Sequence, residues 1–159
     1  MSRSRTVIVI MALLLSSYTQ AGSKQPDIKK EVMASFQSLV NASKTLDAEL
    51  YFQHFELDKF VGLNSDGTNW NSIDELASLI NTGFDSIEEV VSLEFPNINI
   101  SVIDNYTAVL VNEYSQTVLL KDGRTITFSG GGAQVWTKRS GKWKLVSVSA
   151  SHKPNISTP

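Results

Sequence analysis

A chain of 159 residues with 42% hydrophobic and 19% charged side chains carries enough apolar material for one packed core and too much for intrinsic disorder. Its 14 basic and 16 acidic residues leave a formal net charge of −2, which offers no electrostatic footing for a nucleic-acid partner. There is no cysteine, so neither disulfides nor thiolate metal sites are available and the core must hold by packing alone.

At the N-terminus, Arg3 and Arg5 precede an uninterrupted apolar run from Val7 to Leu15. Thr19-Gln20-Ala21 then places a small residue on either side of a bulkier one, the pattern a signal peptidase cleaves. The apolar run is about half of the roughly 20 residues needed to cross a bilayer, so residues 1–21 read as a secretory signal cleaved after Ala21, leaving no membrane span. Removing them takes away two basic residues and leaves 12 against 16 acidic ones, a net charge of −4. A periplasmic or secreted location follows as an expectation. The triplets at Asn41, Asn99, Asn105 and Asn155 fit the glycosylation pattern, although a chain rich in Asn, Ser and Thr forms several by chance.

Residues 22–26 are a polar leader. Asp27 is placed to cap a helix whose apolar positions Ile28, Val32, Phe36 and Val40 recur every four residues. A second short helix is expected from Asp47 to Phe52. The alternation from Phe55 to Leu63 predicts a strand, closed by a turn at Asn64-Ser65-Asp66-Gly67. Ser72-Ile73-Asp74-Glu75 reads as a capping box, opening a helix with Ile73, Leu76, Ala77 and Ile80 on one face and Gly83 at its end.

Beyond Ser86 everything is strand-like. Runs at 91–95, 98–102, 108–118, 125–137 and 143–151 are rich in β-branched and aromatic residues and are separated by Pro96-Asn97, Asp104-Asn105, Lys121-Asp122-Gly123 and Ser140-Gly141. These short connections predict consecutive antiparallel pairing. Gly130-Gly131-Gly132 within one run predicts a bulge or sharp bend, because glycine weakens a strand. The tail 153–159 reads as disordered. Helices first and a meander afterwards define a single α+β domain over residues 27–152.

Two segments resemble the nuclear transport factor 2-like superfamily, in its SnoaL-like and calmodulin-kinase association-domain-like branch. One is Tyr51-Phe52-Gln53-His54-Phe55, leading through Phe60-Val61 to Asp66-Gly67-Thr68. The more specific is Ala133-Gln134-Val135-Trp136-Thr137 through Ser140-Gly141-Lys142-Trp143 to Val146, with a tryptophan in both strands of a hairpin. The resemblance implies a cone: a curved antiparallel sheet wrapped around the long N-terminal helix, with two shorter helices and an apolar pocket at the wide end. It implies a homodimer through the sheet as in many relatives, and a chemistry that varies among isomerases, cyclases, dehydratases and proteins that only bind or assemble.

The ketosteroid-isomerase mechanism would require a carboxylate base on the first strand and a tyrosine on the first helix; the corresponding stretches read Phe60-Val61-Gly62-Leu63 and Phe36, which transfer no protons. A dehydratase-type acid/base pair would have to use His54 with Asp58 or Asp47. Two histidines without cysteine give a metal site little to build on, Glu94 and Glu113 read as solvent-facing, and no cofactor is expected. In the association-domain branch the residue before Val-Trp and alternate residues of the last strand are basic and line the pocket; here they read Gln134, Ser147 and Ser149. Period-two spacing puts both serines on the face of Trp143 and Leu145. With Tyr51, Trp70, Asn112 and Tyr114 they would line a neutral pocket for a small, mostly apolar, uncharged ligand. The competing expectations are a SnoaL-like enzyme and a non-catalytic homodimerisation module.

Overall fold

The computed structural model describes residues 27–153; the expected signal, the leader and the tail beyond Lys153 lie outside the described residues. Helix α1 (Ile28–Lys44) begins where Asp27 Oδ1 accepts the Lys30 amide at 3.3 Å and Glu31 supplies a negative charge to its first turn. Its buried face is Val32, Phe36, Leu39 and Ala42. A true 3.6-residue period moves the stripe from Val40 to Leu39. Leu46 then takes a positive φ of 55°, so that the Asp47 amide reaches the Ala42 carbonyl and the Leu46 amide that of Ser43. This paired closure ends α1 in a left-handed cap made by leucine instead of glycine. It delivers the chain to α2 (Ala48–Phe52), capped by Asp47 on the Leu50 amide.

The expected strand from Phe55 to Leu63 is mostly absent. Phe55 makes a single parallel bridge to Leu145, Leu57–Lys59 form one 3-10 turn, and only Val61–Leu63 become strand β1. The buried anchors of this stretch are Phe55 and Phe60, five apart, while Leu57, Val61 and Leu63 face solvent; the apparent alternation was not the pattern of burial. A turn with Gly67 at φ 89° leads to β2 (Asn69–Trp70).

Helix α3 (Ile73–Ser86) opens without a side-chain bond from Ser72. Glu75 Oε2 accepts instead the Asn71 amide at 2.8 Å, one residue earlier than a capping box would have it. The helix also runs through Gly83 to Ser86 before the chain turns extended.

The sheet contains β1, β2, β3 (Ile87–Asp104), β4 (Thr107–Leu120), β5 (Thr125–Thr137) and β6 (Lys144–His152), in the order β2-β1-β6-β5-β4-β3. Pairing from β3 to β6 is antiparallel and consecutive as expected, but β1 joins β6 in parallel. The two runs expected on either side of Pro96 are one long strand, with a register shift between Glu94 and Asn97 that accommodates the proline. A proline has no amide to donate, and β3 is an edge, where a bulge spares the ladder.

Gly130 to Gly132 make no bulge: they pair in unbroken register with Asn112 to Tyr114 on one side and Ala150 to His152 on the other. A Cβ on Gly130 would collide with the Ser151 carbonyl oxygen and lie 2.7 Å from the Tyr114 hydroxyl, and one on Gly132 would sit 3.3 Å from Asn112 Oδ1. The glycines therefore make room for side chains on the inner face. The real irregularity lies between Val135 and Trp136, where Trp136 pairs with Leu145 but Val135 pairs with Ser147.

The core sits between α1 and the inner face: Val32, Phe36 and Leu39 pack with Phe55, Leu110, Trp136 and Leu145, and Trp143 closes one end. Burying each such side chain contributes about 1.5–3 kcal/mol. Gly130→Ala is expected to lower stability to urea by about 1–3 kcal/mol through overpacking. Gly83→Ala, with nothing within 4 Å of the added methyl, is expected to raise it by about 1 kcal/mol through helix propensity.

Candidate functional site

A cavity of about 250 Å³ lies between the helices and the inner face of the sheet. Helix α1 contributes Phe36, Leu39, Val40 and Ser43 to its wall, and α2 contributes Tyr51. From α3 come Ile80 and Phe84, one turn apart. The sheet supplies Leu93 and Phe95 from β3, Tyr114 and Gln116 from β4, and Gln134 from β5. Among the described residues no charged side chain lines it.

Three of the expected ligand-binding residues, Tyr51, Tyr114 and Gln134, thus meet in one cavity. Tyr51 is wedged among Phe52, Phe55 and Phe84 at ring separations of 5.1–5.8 Å. Burial pushes its phenol well above the ordinary tyrosine value, so at physiological pH it is a neutral hydroxyl. Tyr114 lies 3.0 Å from His152 Nδ1 and 3.3 Å from the Ser151 carbonyl, and burial likewise raises its pKa. Gln134 Oε1 accepts the Trp136 indole N–H at 3.0 Å. Asn112 is the next inward position of β4 before Tyr114; it is only 6% exposed, and its Oδ1 has no hydrogen-bond partner among the described residues.

The other three expected residues lie elsewhere. Trp70 stands opposite Gly62, whose Cβ would fall 2.8 Å from the indole, and packs against the core cluster. Ser147 and Ser149 pair with Val135 and Ala133 and with Val61 and Leu63, placing them on the outer face. The bulge after Leu145 is the reason: it inserts one residue at Val146 and reverses the alternation, so Val148, not Ser147, continues the inner face begun by Leu145.

Among the described residues His54 has no carboxylate partner. Its Nδ1 lies 2.9 Å from the Leu50 carbonyl, which only accepts, so Nδ1 carries a proton, and Nε2 lies 2.9 Å from the Ser38 hydroxyl. Asp58 is exposed on the 3-10 turn, and Asp47 is committed to capping α2. His54 faces a separate open groove of about 770 Å³ between α1, α2 and the β5–β6 turn. There Glu31 Oε2 accepts the Lys138 ammonium at 2.6 Å and the Trp143 indole at 2.7 Å. Among the described residues no group of three or more His, Asp or Glu side chains is gathered to hold a metal ion. Nor is any helix long and apolar enough to cross a membrane.

Sequence reasoning missed Gln116 and Phe84, and read His152, exposed but 3.0 Å from the Tyr114 hydroxyl, as a solvated strand edge. Gln116 lies two residues beyond Tyr114 on the same strand face and was within reach of the period-two rule. Phe84 follows Ile80 by one turn, but a helix expected to stop at Gly83 excluded it. His152 returned to the inner face only because of the bulge.

A helix sheathed in a curved sheet, with a cavity at one end of their interface, defines an α+β cone. The chain belongs to the SnoaL-like domain family, whose sequence pattern matches residues 32–155. Among solved structures it is similar to a nuclear transport factor 2-like superfamily protein from Salmonella enterica, with TM-score 0.70 and 20% identity over 83% of this chain and 96% of that one. It is similar also to the association domain of calcium/calmodulin-dependent kinase II from Caenorhabditis elegans, with TM-score 0.65 and 21% identity over 78% and 95%. A nuclear transport factor 2-like protein of Streptomyces avermitilis, described as a candidate dehydratase, aligns with TM-score 0.69 and 13% identity over 79% and 95%. No curated protein matches the sequence. At these identities the structural likeness establishes the fold.

Lys138 first, then the Trp143 indole, holds the Glu31 carboxyl below its ordinary value. A lowered folded-state pKa stabilises the fold above the unfolded-state value, and that contribution is lost as pH falls through the folded-state value. The stability difference between the wild type and Glu31→Gln, measured by urea unfolding, is therefore expected to be full at pH 7 and to close below about pH 4.

Proposed function

We propose that this is an exported protein, released by cleavage after Ala21, that binds a small neutral molecule in the cone cavity without transforming it. The observation that carries this reading is polar capacity inside an uncharged, largely aromatic cavity. Gln134, Gln116, Tyr114 and Tyr51 place polar groups on the wall, and the Asn112 oxygen, buried next to it on the same strand face, has no hydrogen-bond partner among the described residues. An unpaired buried polar group costs about 1–3 kcal/mol unless something satisfies it. A ligand does so and recovers that cost on binding.

Two supports bear on the alternatives. Against a dehydratase-type pair, His54 bonds to a serine and two carbonyls outside the cavity. For self-association, the outer face of the sheet exposes Val61 by 53% and Val111 by 50%, in the same layer as Val109, Ala133 and Val135. A second copy seated on that face would cover them, and the name of the kinase association domain points the same way for that relative. We read the exported protein as a homodimer through this face.

Denaturing the protein purified from its own compartment and analysing the released small molecules by mass spectrometry is expected to recover a neutral compound in near-stoichiometric amount from wild type. Less should come from Tyr51→Ala. An empty extract from correctly folded wild type would overturn the reading. Intact-mass analysis of the exported form is expected to give a chain that begins at Gly22. In light scattering at micromolar concentration, the wild type should have twice the chain mass, and Val111→Lys should be monomeric with an unchanged melting temperature.

A further inference from the structure

Outside the cone cavity, the open groove between α1, α2 and the β5–β6 turn holds a pair of side chains that the ligand reading does not use. Ser38 Oγ lies 2.9 Å from His54 Nε2. The other ring nitrogen, Nδ1, is 2.9 Å from the Leu50 carbonyl and 3.3 Å from that of Tyr51, both in the last turn of α2. Neither oxygen has a proton to give, so Nδ1 carries one, and in the neutral ring Nε2 is left as an acceptor facing the serine. A hydroxyl bonded to an imidazole whose far nitrogen is held by a third group is the arrangement that activates a serine as a nucleophile. Here two carbonyl oxygens stand where a carboxylate would, orienting the ring and facing the positive charge it gains on taking a proton.

The pair is both reachable and anchored. Ser38 is exposed on α1, and Ala34, Ser35 and Ala42, its neighbours one turn away along the groove, are small and leave the approach to Oγ open. The backbone of His54 is tied to β6: its carbonyl accepts the Leu145 amide, and the Glu56 amide donates to the Leu145 carbonyl, each at 2.8 Å. Asn41, one turn beyond Ser38, and Gln53, next to His54, line the same groove and supply amide donors of the kind that stabilise an oxyanion. Lys142 and Lys144 line it too. Lys138 is matched by Glu31, but among the described residues neither Lys142 nor Lys144 is in an ion pair. Their charge favours a substrate that carries a carboxylate.

We propose that this groove is a hydrolytic site, separate from the cone cavity, in which Ser38 is the nucleophile and His54 the general base toward a small ester bearing a carboxylate. Ser38 Oγ bonds to the ester carbonyl carbon as its proton passes to His54 Nε2, and the carbonyl electron pair moves onto the oxygen, where Asn41 and Gln53 donate to it. When that pair returns, the C–O bond to the alcohol breaks and the alcohol leaves with the proton from Nε2. Water then attacks the acyl-Ser38 carbonyl and gives a proton to Nε2; the C–Oγ bond breaks, Oγ takes that proton, and the carboxylic acid departs. The sum is ester plus water to acid plus alcohol. Lys142 and Lys144 hold the substrate's carboxylate, and nothing in the step depends on what the cone cavity binds.

Hydrolysis of 4-acetoxybenzoate and of methyl 4-acetoxybenzoate by the purified protein, followed by release of the phenol, tests the assignment. Wild type is expected to hydrolyse 4-acetoxybenzoate at least about 100-fold faster than Ser38→Ala or His54→Ala, the usual loss when a general base or its nucleophile is removed. Because Ser38 is exposed, its alanine variant keeps the fold and serves as the test even where His54→Ala unfolds. A fluorophosphonate probe should leave its phosphonyl group on Ser38 of wild type, located by peptide mass spectrometry; a merely structural contact between Ser38 and His54 would give no such adduct. The double variant Lys142→Gln, Lys144→Gln should lose the preference for 4-acetoxybenzoate over its methyl ester. Equal hydrolysis by wild type and Ser38→Ala, or no adduct at Ser38, would overturn the proposal. Equal turnover of the two esters by wild type would overturn the carboxylate preference and leave the nucleophile assignment in place.

Discussion

The structure depends on one apolar contact: the Val32, Phe36 and Leu39 stripe of α1 lying in the trough of a curved sheet against Leu110, Trp136 and Leu145. No disulfide assists it, because the chain has no cysteine. The trough is closed at one end by Trp143, whose indole and the Lys138 ammonium converge on a single oxygen of Glu31. These two hydrogen bonds to one carboxylate oxygen tie the start of α1 to the β5–β6 turn. At its other end, α1 hands the chain through Leu46 to α2, and Tyr51 is brought back over the trough. The cavity is what remains between these two closures.

Which residues face that cavity is decided by strand phase, and here the sequence was legible only up to the first irregularity. The elements of α1, α2 and α3, the antiparallel meander and the inward set Tyr51, Tyr114 and Gln134 follow from periodicity and from resemblance. Ser147 and Ser149 do not, because one extra residue at Val146 reverses every later side chain of β6. A bulge has no reliable signature in composition; it is visible only when two strands are laid side by side. The stretch from Phe55 to Leu63 failed for a related reason. Its alternation of apolar residues is real, but Phe55 and Phe60 are anchored by tertiary packing at a spacing that neither helix nor strand would produce.

The glycines show how a weak local signal acquires its meaning from its neighbours. Three in succession argue for a break in the strand when read alone. Paired against Asn112, Glu113 and Tyr114, they are instead the empty places in a layer whose partners are large. Tyr114 takes the room over Gly130 and Asn112 the room over Gly132. Tyr114, which lines the cavity, thus owes its position to a residue without a side chain, and a substitution at Gly130 would alter the cavity wall directly.

The shape of β3 carries a consequence for how this protein meets other chains. An open sheet has two edges, and each is a template on which another chain can add a strand. One edge here, β2, is two residues long, too short to seed a ladder. The other is eighteen residues long, but its pairing with β4 shifts at four places and Pro96 interrupts its row of donors. An incoming strand would find no straight run of alternating groups to copy. The irregularities that made β3 hard to read as one strand are thus a built-in resistance to fibril growth, in a protein with no disulfide to restrain its unfolded chain.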